Sequence, residues 1–368
     1  MVKSRMPTAE ETEAAQRQLT WRVESIEKLK LRRGRRSADL ENREESIKRA
    51  LAAYGDLPNP DATVCLRAGF VSLSQARPVP ASLGGPELAE PLSVPQRRWE
   101  DWRTRPPATK LIMGTTSALP SYLSMLYVVH REASLKEAGL ENQHGNASRD
   151  GGRESWAVLC GRWDSSLRAR RARLTRDLDE LARADLVAIR PKGQQGRYEG
   201  FTILRDDTSD KPYRWPRQTS RGPSVIPLPA SFFRQGWHLV LTPAEVAVLL
   251  MVKHATAAIR SSTDEPGIGL PLTTRFALYG ISGEAYGAIH ELEEFGILTV
   301  HDTMPHRRHG KFRPQASEER ARLEADGEPF GPVPYRLEVA GDSLFDRPAL
   351  STVHRCLLDN PVPPRLST

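Results

Sequence analysis

The stretch Asp164-Ser165-Ser166-Leu167-Arg168-Ala169-Arg170-Arg171-Ala172-Arg173-Leu174-Thr175-Arg176-Asp177-Leu178-Asp179-Glu180-Leu181-Ala182-Arg183-Ala184 decides how this chain reads. At about 100° per residue, Leu167, Leu174, Leu178 and Leu181 fall within about 40° of one line, which predicts a helix over 165–184 with a buried leucine stripe. Opposite the stripe stand Ser165, Arg168, Ala169, Ala172, Arg173 and Arg176, while Arg170 and Arg171 flank it. From Ser165 to Arg176 there are five arginines and no acid; Asp177, Asp179 and Glu180 follow. Asp164 is placed to cap the first turn. Beyond the helix, Leu186-Val187-Ala188-Ile189-Arg190 reads as a strand. Gly193-Gln194-Gln195-Gly196 reads as a turn, and Arg197 to Leu204 as a returning strand.

Upstream, Leu119 to Ala133 forms a helix with Pro120 in its first turn. Gly139 to Gly152 is a Gly/Asn/Ser-rich loop, and Glu154 to Cys160 is a second, short helix. The order is helix, helix, turn, helix, hairpin. The phrase Leu178, Leu181, Ala182, Asp185-Leu186-Val187 closes the third helix into the hairpin. In order, spacing and this phrase, residues 115–205 resemble the winged helix-turn-helix proteins. The resemblance implies a third helix that enters the major groove of double-stranded DNA and a hairpin wing that lies along the backbone.

Residues 225–340 repeat the plan more loosely. Thr242-Pro243-Ala244-Glu245 is a capping box with proline at the first helical position, opening a helix to Ala258. Leu272 to Tyr279 is a short helix, and Gly280-Ile281-Ser282 is the turn. Ser282 caps a third helix, with core stripe Ala285, Ile289, Leu292 and Phe295. Gly296 to Val300 and Tyr335 to Val339 pair as strands around a long insertion, 302–334. Two such units in one chain are similar to plasmid replication initiators and to tandem winged-helix regulators.

The two third helices differ in charge. The second exposes Glu284, Gly287, His290, Glu291 and Glu294, and carboxylates repel phosphates. Its wing insertion is basic instead, with His306, Arg307, Arg308, His309, Lys311 and Arg313. The expected DNA-contacting set is therefore Ser165, Arg168, Ala169, Arg170, Arg171, Ala172, Arg173 and Arg176 on the first helix. Lys192, Gln194, Gln195 and Arg197 join them from the first wing, and Arg307, Arg308, Lys311 and Arg313 from the second. Arginine can read guanine through O6 and N7, or hold phosphates.

The flanks are simpler. Residues 1–55 read as a charged helical arm, with apolar stripes Leu19, Val23, Ile26, Leu29 and Leu40, Ile47, Leu51, Tyr54. Between them lies Lys30-Leu31-Arg32-Arg33-Gly34-Arg35-Arg36, and the stretch is either a charged helix pair or short coiled coil, or a basic arm that touches DNA phosphates or enters a minor groove. Residues 56–108 are a Pro-rich linker holding one short strand near Val64 to Leu73. Residues 206–224 are a second linker, and 341–368 a tail with one short helix near Leu350 to Leu358. The fold class expected is mainly α with small β-hairpin wings: two winged helix-turn-helix domains, a charged helical arm and a Pro-rich linker.

Composition excludes several classes. The 368 residues suit about two domains with extra segments. The 53 Lys and Arg against 46 Asp and Glu leave a net charge of +7, compatible with nucleic acid. No apolar run approaches the ~18 residues of a membrane span, and Val246 to Val252 reads as core helix. No secretory leader is visible at Met1-Val2-Lys3-Ser4-Arg5. Cys65, Cys160 and Cys356 are scattered singly, which suits a reducing, cytoplasmic and nucleoid-associated location. His301, His306 and His309 lack zinc-ligand spacing. No phosphate loop or nucleophile motif occurs, and Tyr198 and Tyr286 lack the companions of a strand-cutting site. No enzyme activity and no cofactor are expected. The expected partner is double-stranded DNA; a homodimer through the second unit stays open. A sequence-specific transcription regulator is the first expectation. A plasmid or phage replication initiator or partition protein is the alternative, and an interaction scaffold that binds no DNA is another.

Overall fold

The computed structural model describes residues 9–79, 100–113, 118–132, 142, 144–149, 152–216, 225–258, 265–302 and 334–367, with the backbone alone for 9–23 and 367. The chain is mainly helical with small antiparallel sheets.

Helix α1 (Ala9–Gly55) is one continuous helix, not a helix pair. Leu40, Ile47, Ala50 and Tyr54 recur at three- to seven-residue spacing and are buried, so its second half lies in the core. Strand β1 (Val64–Arg67) and the single turn α2 (Ala68–Val71) follow. The stretch expected to be a linker thus contributes Val64, Leu66, Phe70 and Val71 to the core. A helical turn at 100–103 and α3 (Pro107–Lys110) come next.

Helix α4 (Ala118–Glu132) is buried on nearly every side, as its almost uninterrupted apolar sequence requires. The short α5 (Trp156–Leu159) and the basic α6 (Leu167–Arg183) pack against it and against each other. Leu174, Leu178 and Leu181 of α6 are fully buried, but Leu167 is 44% exposed. The expected stripe is therefore one residue too long: Leu167, the first residue of α6, is left out of it. Asp185 takes φ +58°, and Leu186 N–H returns to Leu181 O at 2.9 Å, turning the chain into the hairpin. That hairpin has only two paired residues per strand, β2 (Val187–Ala188) and β3 (Thr202–Ile203). Residues 197–200 make turns where a strand was expected.

Strand β4 (Val225–Leu228) pairs antiparallel with β1, Val64 opposite Leu228. Two short helices, α7 (Ala230–Arg234) and α8 (Trp237–Val240), lead to α9 (Pro243–Ala258). The capping box stands as expected: Thr242 Oγ1 accepts from Glu245 N at 3.3 Å, and Glu245 Oε2 from Thr242 N at 2.8 Å. Val246 to Val252 is buried throughout, as a core helix should be. Strand β5 (Ile268–Gly269) and α10 (Leu272–Tyr279) follow. The third helix expected from Ser282 to Phe295 is two pieces, α11 (Gly283–Tyr286) and α12 (Ile289–Glu294), broken at Gly287-Ala288. Strands β6 (Leu298–His301) and β7 (Arg336–Val339) pair antiparallel, Leu298 opposite Val339, and β5 adds to the far edge of β7.

The C-terminal residues are not a loose tail. A 3-10 turn (Asp342–Asp346), α13 (Ala349–Asp359) and α14 (Pro364–Ser367) follow, and Phe345, Val353 and Leu357 are buried. Helix α13 packs along α1, and one continuous core joins all these parts. Among the described residues, no helix is long and apolar enough to cross a membrane.

Candidate nucleic-acid interface

The start of α6 is built by polar chemistry. Its cap is Ser166, whose Oγ accepts from Ala169 N at 3.4 Å, and not Asp164. Asp164 sits one step further out, with Oδ1 accepting from Ser166 N at 2.9 Å. Its other carboxylate oxygen holds Arg173 at 2.9 Å, and its carbonyl accepts from Arg170 Nε. Arg170 also lies 5.3 Å from the centre of the Trp163 ring, over which Arg49 of α1 packs at 3.9 Å. Two of the five arginines thus fasten the helix start to its surroundings.

Arg168, Arg171 and Arg176 are exposed and form no ion pair with a described residue. Ser165 is exposed, and Ala169 and Ala172 are half-buried between the arginines. Small side chains at the centre of this face leave its arginines as the projecting groups. Behind the face, Asp177 is buried and bonded to Arg162 Nε at 2.6 Å and to Ser121 Oγ at 2.5 Å. This acid therefore clamps α6 to α4 and adds no negative charge to the exposed face. Nothing in the helical periodicity marks Arg162 as its partner, because Arg162 lies outside the helix.

At the hairpin, Lys192, Gln194 and Gln195 are exposed. Gly193 (φ +91°) and Gly196 (φ +66°) take the left-handed backbone that the turn needs. Arg197 is engaged differently from expectation. It pairs with Asp179 of α6 at 3.0 Å and donates to Tyr198 Oη at 3.1 Å, while Tyr198 Oη donates to Asp179 at 2.9 Å. It braces the hairpin turn against α6.

A groove of about 880 Å³ runs between α6, the 194–200 turn and the 144–149 segment. The segment was legible only as a loop, yet it is tied to the hairpin. Asn142 Nδ2 donates to Phe201 O at 3.0 Å, and Asn146 Nδ2 to Tyr198 O at 2.8 Å. Asn142 Oδ1 accepts from Trp156 Nε1 at 2.7 Å. His144 spans Glu132 at 3.1 Å and Glu154 O at 2.7 Å. Asn146 thus satisfies a carbonyl of the irregular 197–200 backbone, and Asn142 the one just after it. The Asn content of the loop was the available signal.

In the second unit two of the three carboxylates expected to be exposed, Glu291 and Glu294, are internal. Glu291 is 5% exposed and meets Arg32 of α1 at 2.9 Å. Glu294 meets the buried Arg33 at 2.9 Å and accepts from Asn360 Nδ2 at 3.0 Å. Arg36 makes two hydrogen bonds to Glu245, at 2.5 and 2.8 Å. Burial, reinforced by Glu245, pushes the Glu291 carboxyl above its ordinary range, with Arg32 opposing. His290 is buried too, while Glu284 remains exposed. The basic run of α1, open to a DNA-contacting expectation, commits Arg32, Arg33 and Arg36 to these acids. Arg307, Arg308, Lys311 and Arg313, with His306 and His309, lie outside the described residues. His301 pairs with Glu338 at 3.1 Å. Among the described residues, no three His, Cys, Asp or Glu side chains gather as a metal-ligand group.

No family model matches the chain, and no curated protein or solved structure matches it.

Proposed function

We propose that this chain binds double-stranded DNA and reads the major groove with the exposed face of α6, as a sequence-specific transcription regulator. The observation that carries the reading is the separation of roles along α6. Leu174, Leu178 and Leu181 are buried, while Arg168, Arg171 and Arg176 project without an ion pair to a described residue. Uncompensated guanidiniums projecting from the exposed side of the helix suit base edges and phosphates. The order helix, helix, helix, hairpin around α6 supports a winged-helix reading of this unit. Lys192, Gln194 and Gln195 at the turn suit backbone contact.

The second unit has the same order, with β5 added to its hairpin. Its α11 and α12 are short, and α12 is held by α1, so this unit serves as the frame and α6 as the reader. The test is fluorescence anisotropy with a duplex selected from a random pool. Arg168→Ala with Arg176→Ala should abolish the preference for the selected duplex over a random one, with the melting curve unchanged. Retained preference in the double variant would remove α6 from the interface.

A further inference from the structure

We infer that the groove between α6 and the 144–149 segment seats one strand of the duplex's sugar–phosphate backbone, with Arg171 and Arg149 as its phosphate-binding side chains. The inference rests on the reading of α6 as the groove reader. At about 100° per residue, Arg171 stands about 140° around α6 from Arg176. When Arg176 faces bases, Arg171 faces sideways, and it lines the groove together with Thr175. Arg149 lines the opposite wall. Its ion pair is with Glu154 at 3.1 Å, and its side chain is 67% exposed. Such a pair is screened and weak, so this guanidinium is available to a phosphate.

The far wall is fixed before anything binds. Asn146 and Asn142 hold the loop to the wing backbone, so the two cationic walls keep their spacing. Arg197, also in the groove, is already engaged by Asp179. Glu199 lines the same groove and opposes an anion there. The seat therefore contains two recruitable cations and one carboxylate that limits how tightly it holds.

The experiment measures the affinity of the full chain for the selected and a random duplex across a NaCl series. Removing one phosphate-binding cation lowers the slope of log affinity against log salt by about 0.9. Arg149→Ala with Arg171→Ala should lower the slope by about 1.8 and weaken both duplexes alike, leaving their ratio unchanged. Glu199→Gln should tighten both duplexes several-fold at low salt. All three positions are on the surface, and circular dichroism with a melting curve checks that the variants fold. A wild-type slope in the double variant, with Arg168→Ala and Arg176→Ala still losing preference, overturns the groove alone. No duplex binding by the wild-type chain would overturn the reading of α6 itself, and the groove with it.

Discussion

Arg33 and Glu294 lie 261 residues apart in sequence, yet their charged atoms meet at 2.9 Å with side chains only 2% and 4% exposed. Arg33 also donates to the carbonyls of Cys356 and Asn360, each at 3.1 Å. One guanidinium thus ties α1 to α12 and to the end of α13. Buried pairs of this kind are costly to break on one side, because the remaining charge is left without a partner. Arg33→Met should destabilise the chain by about 3–5 kcal/mol. Arg33→Met combined with Glu294→Leu should recover part of that loss. Urea denaturation of the single and double variants checks this, and equal stability of Arg33→Met and wild type would contradict the burial.

Leu178→Ala should cost about 2–5 kcal/mol, since a fully buried leucine loses its transfer energy and leaves a cavity. Leu167→Ala, at a 44% exposed position, should cost less than about 1 kcal/mol. Comparing the two melting curves tests the register of α6 directly. A shift in its register would reverse their order.

Three buried histidines make stability depend on pH. Burial lowers His238 from 6.5 to about 3, and His130 and His290 to about 4. The unfolded chain takes up these protons first as pH falls. Their contribution is therefore complete above about pH 6.5 and is lost as pH falls from there toward 3–4. At pH 5 each should have lost about 2 kcal/mol. Denaturation between pH 7.5 and 5 should show this slope, and His238→Phe should reduce it. His238 Nε2 lies 3.0 Å from Tyr54 Oη, so Tyr54→Phe is the companion control for the missing hydrogen bond. A flat profile would mean that these rings are solvated.

Glu284 is the one carboxylate of the second unit's expected face that is exposed. Because α12 is held by α1, Glu284→Ala should change neither duplex preference nor salt slope. Anisotropy titration of this variant checks it. An altered preference would place α11 at the bases.

What the sequence made legible were the features with local causes. The capping box at Thr242 and Glu245, the cap at Ser282 and the buried Leu174, Leu178 and Leu181 follow from spacing within one turn or one helix. The strands Leu298–His301 and Arg336–Val339 were legible across a long insertion because both alternate around a buried residue. Partners chosen across the fold were not legible. Glu291 and Glu294 look solvent-facing on a helical projection, and only the path of α1 brings Arg32 and Arg33 onto them. Arg173 and Arg197 look like free cations until Asp164 and Asp179 are placed beside them. Proline content alone also misreads 56–108, because Val64 to Arg67 finds its strand partner at 225–228.

The partnership of Arg33 with Asn360, 327 residues downstream, sets a condition on how the chain is made. At about 5–20 residues per second, a ribosome needs about 16–65 seconds between the two positions. Through much of that interval Arg32, Arg33 and Arg36 await Glu245, Glu291 and Glu294, and to its end Arg33 awaits the carbonyl of Asn360. The helices around α6 are synthesised well before then, and Tyr54 bonded to Leu159 O and Phe233 stacked on Tyr127 join them to α1 and α7. Closure of α1 against α12 and α13 must wait for the last helices, so a nascent chain stalled short of them would carry an unsecured α1.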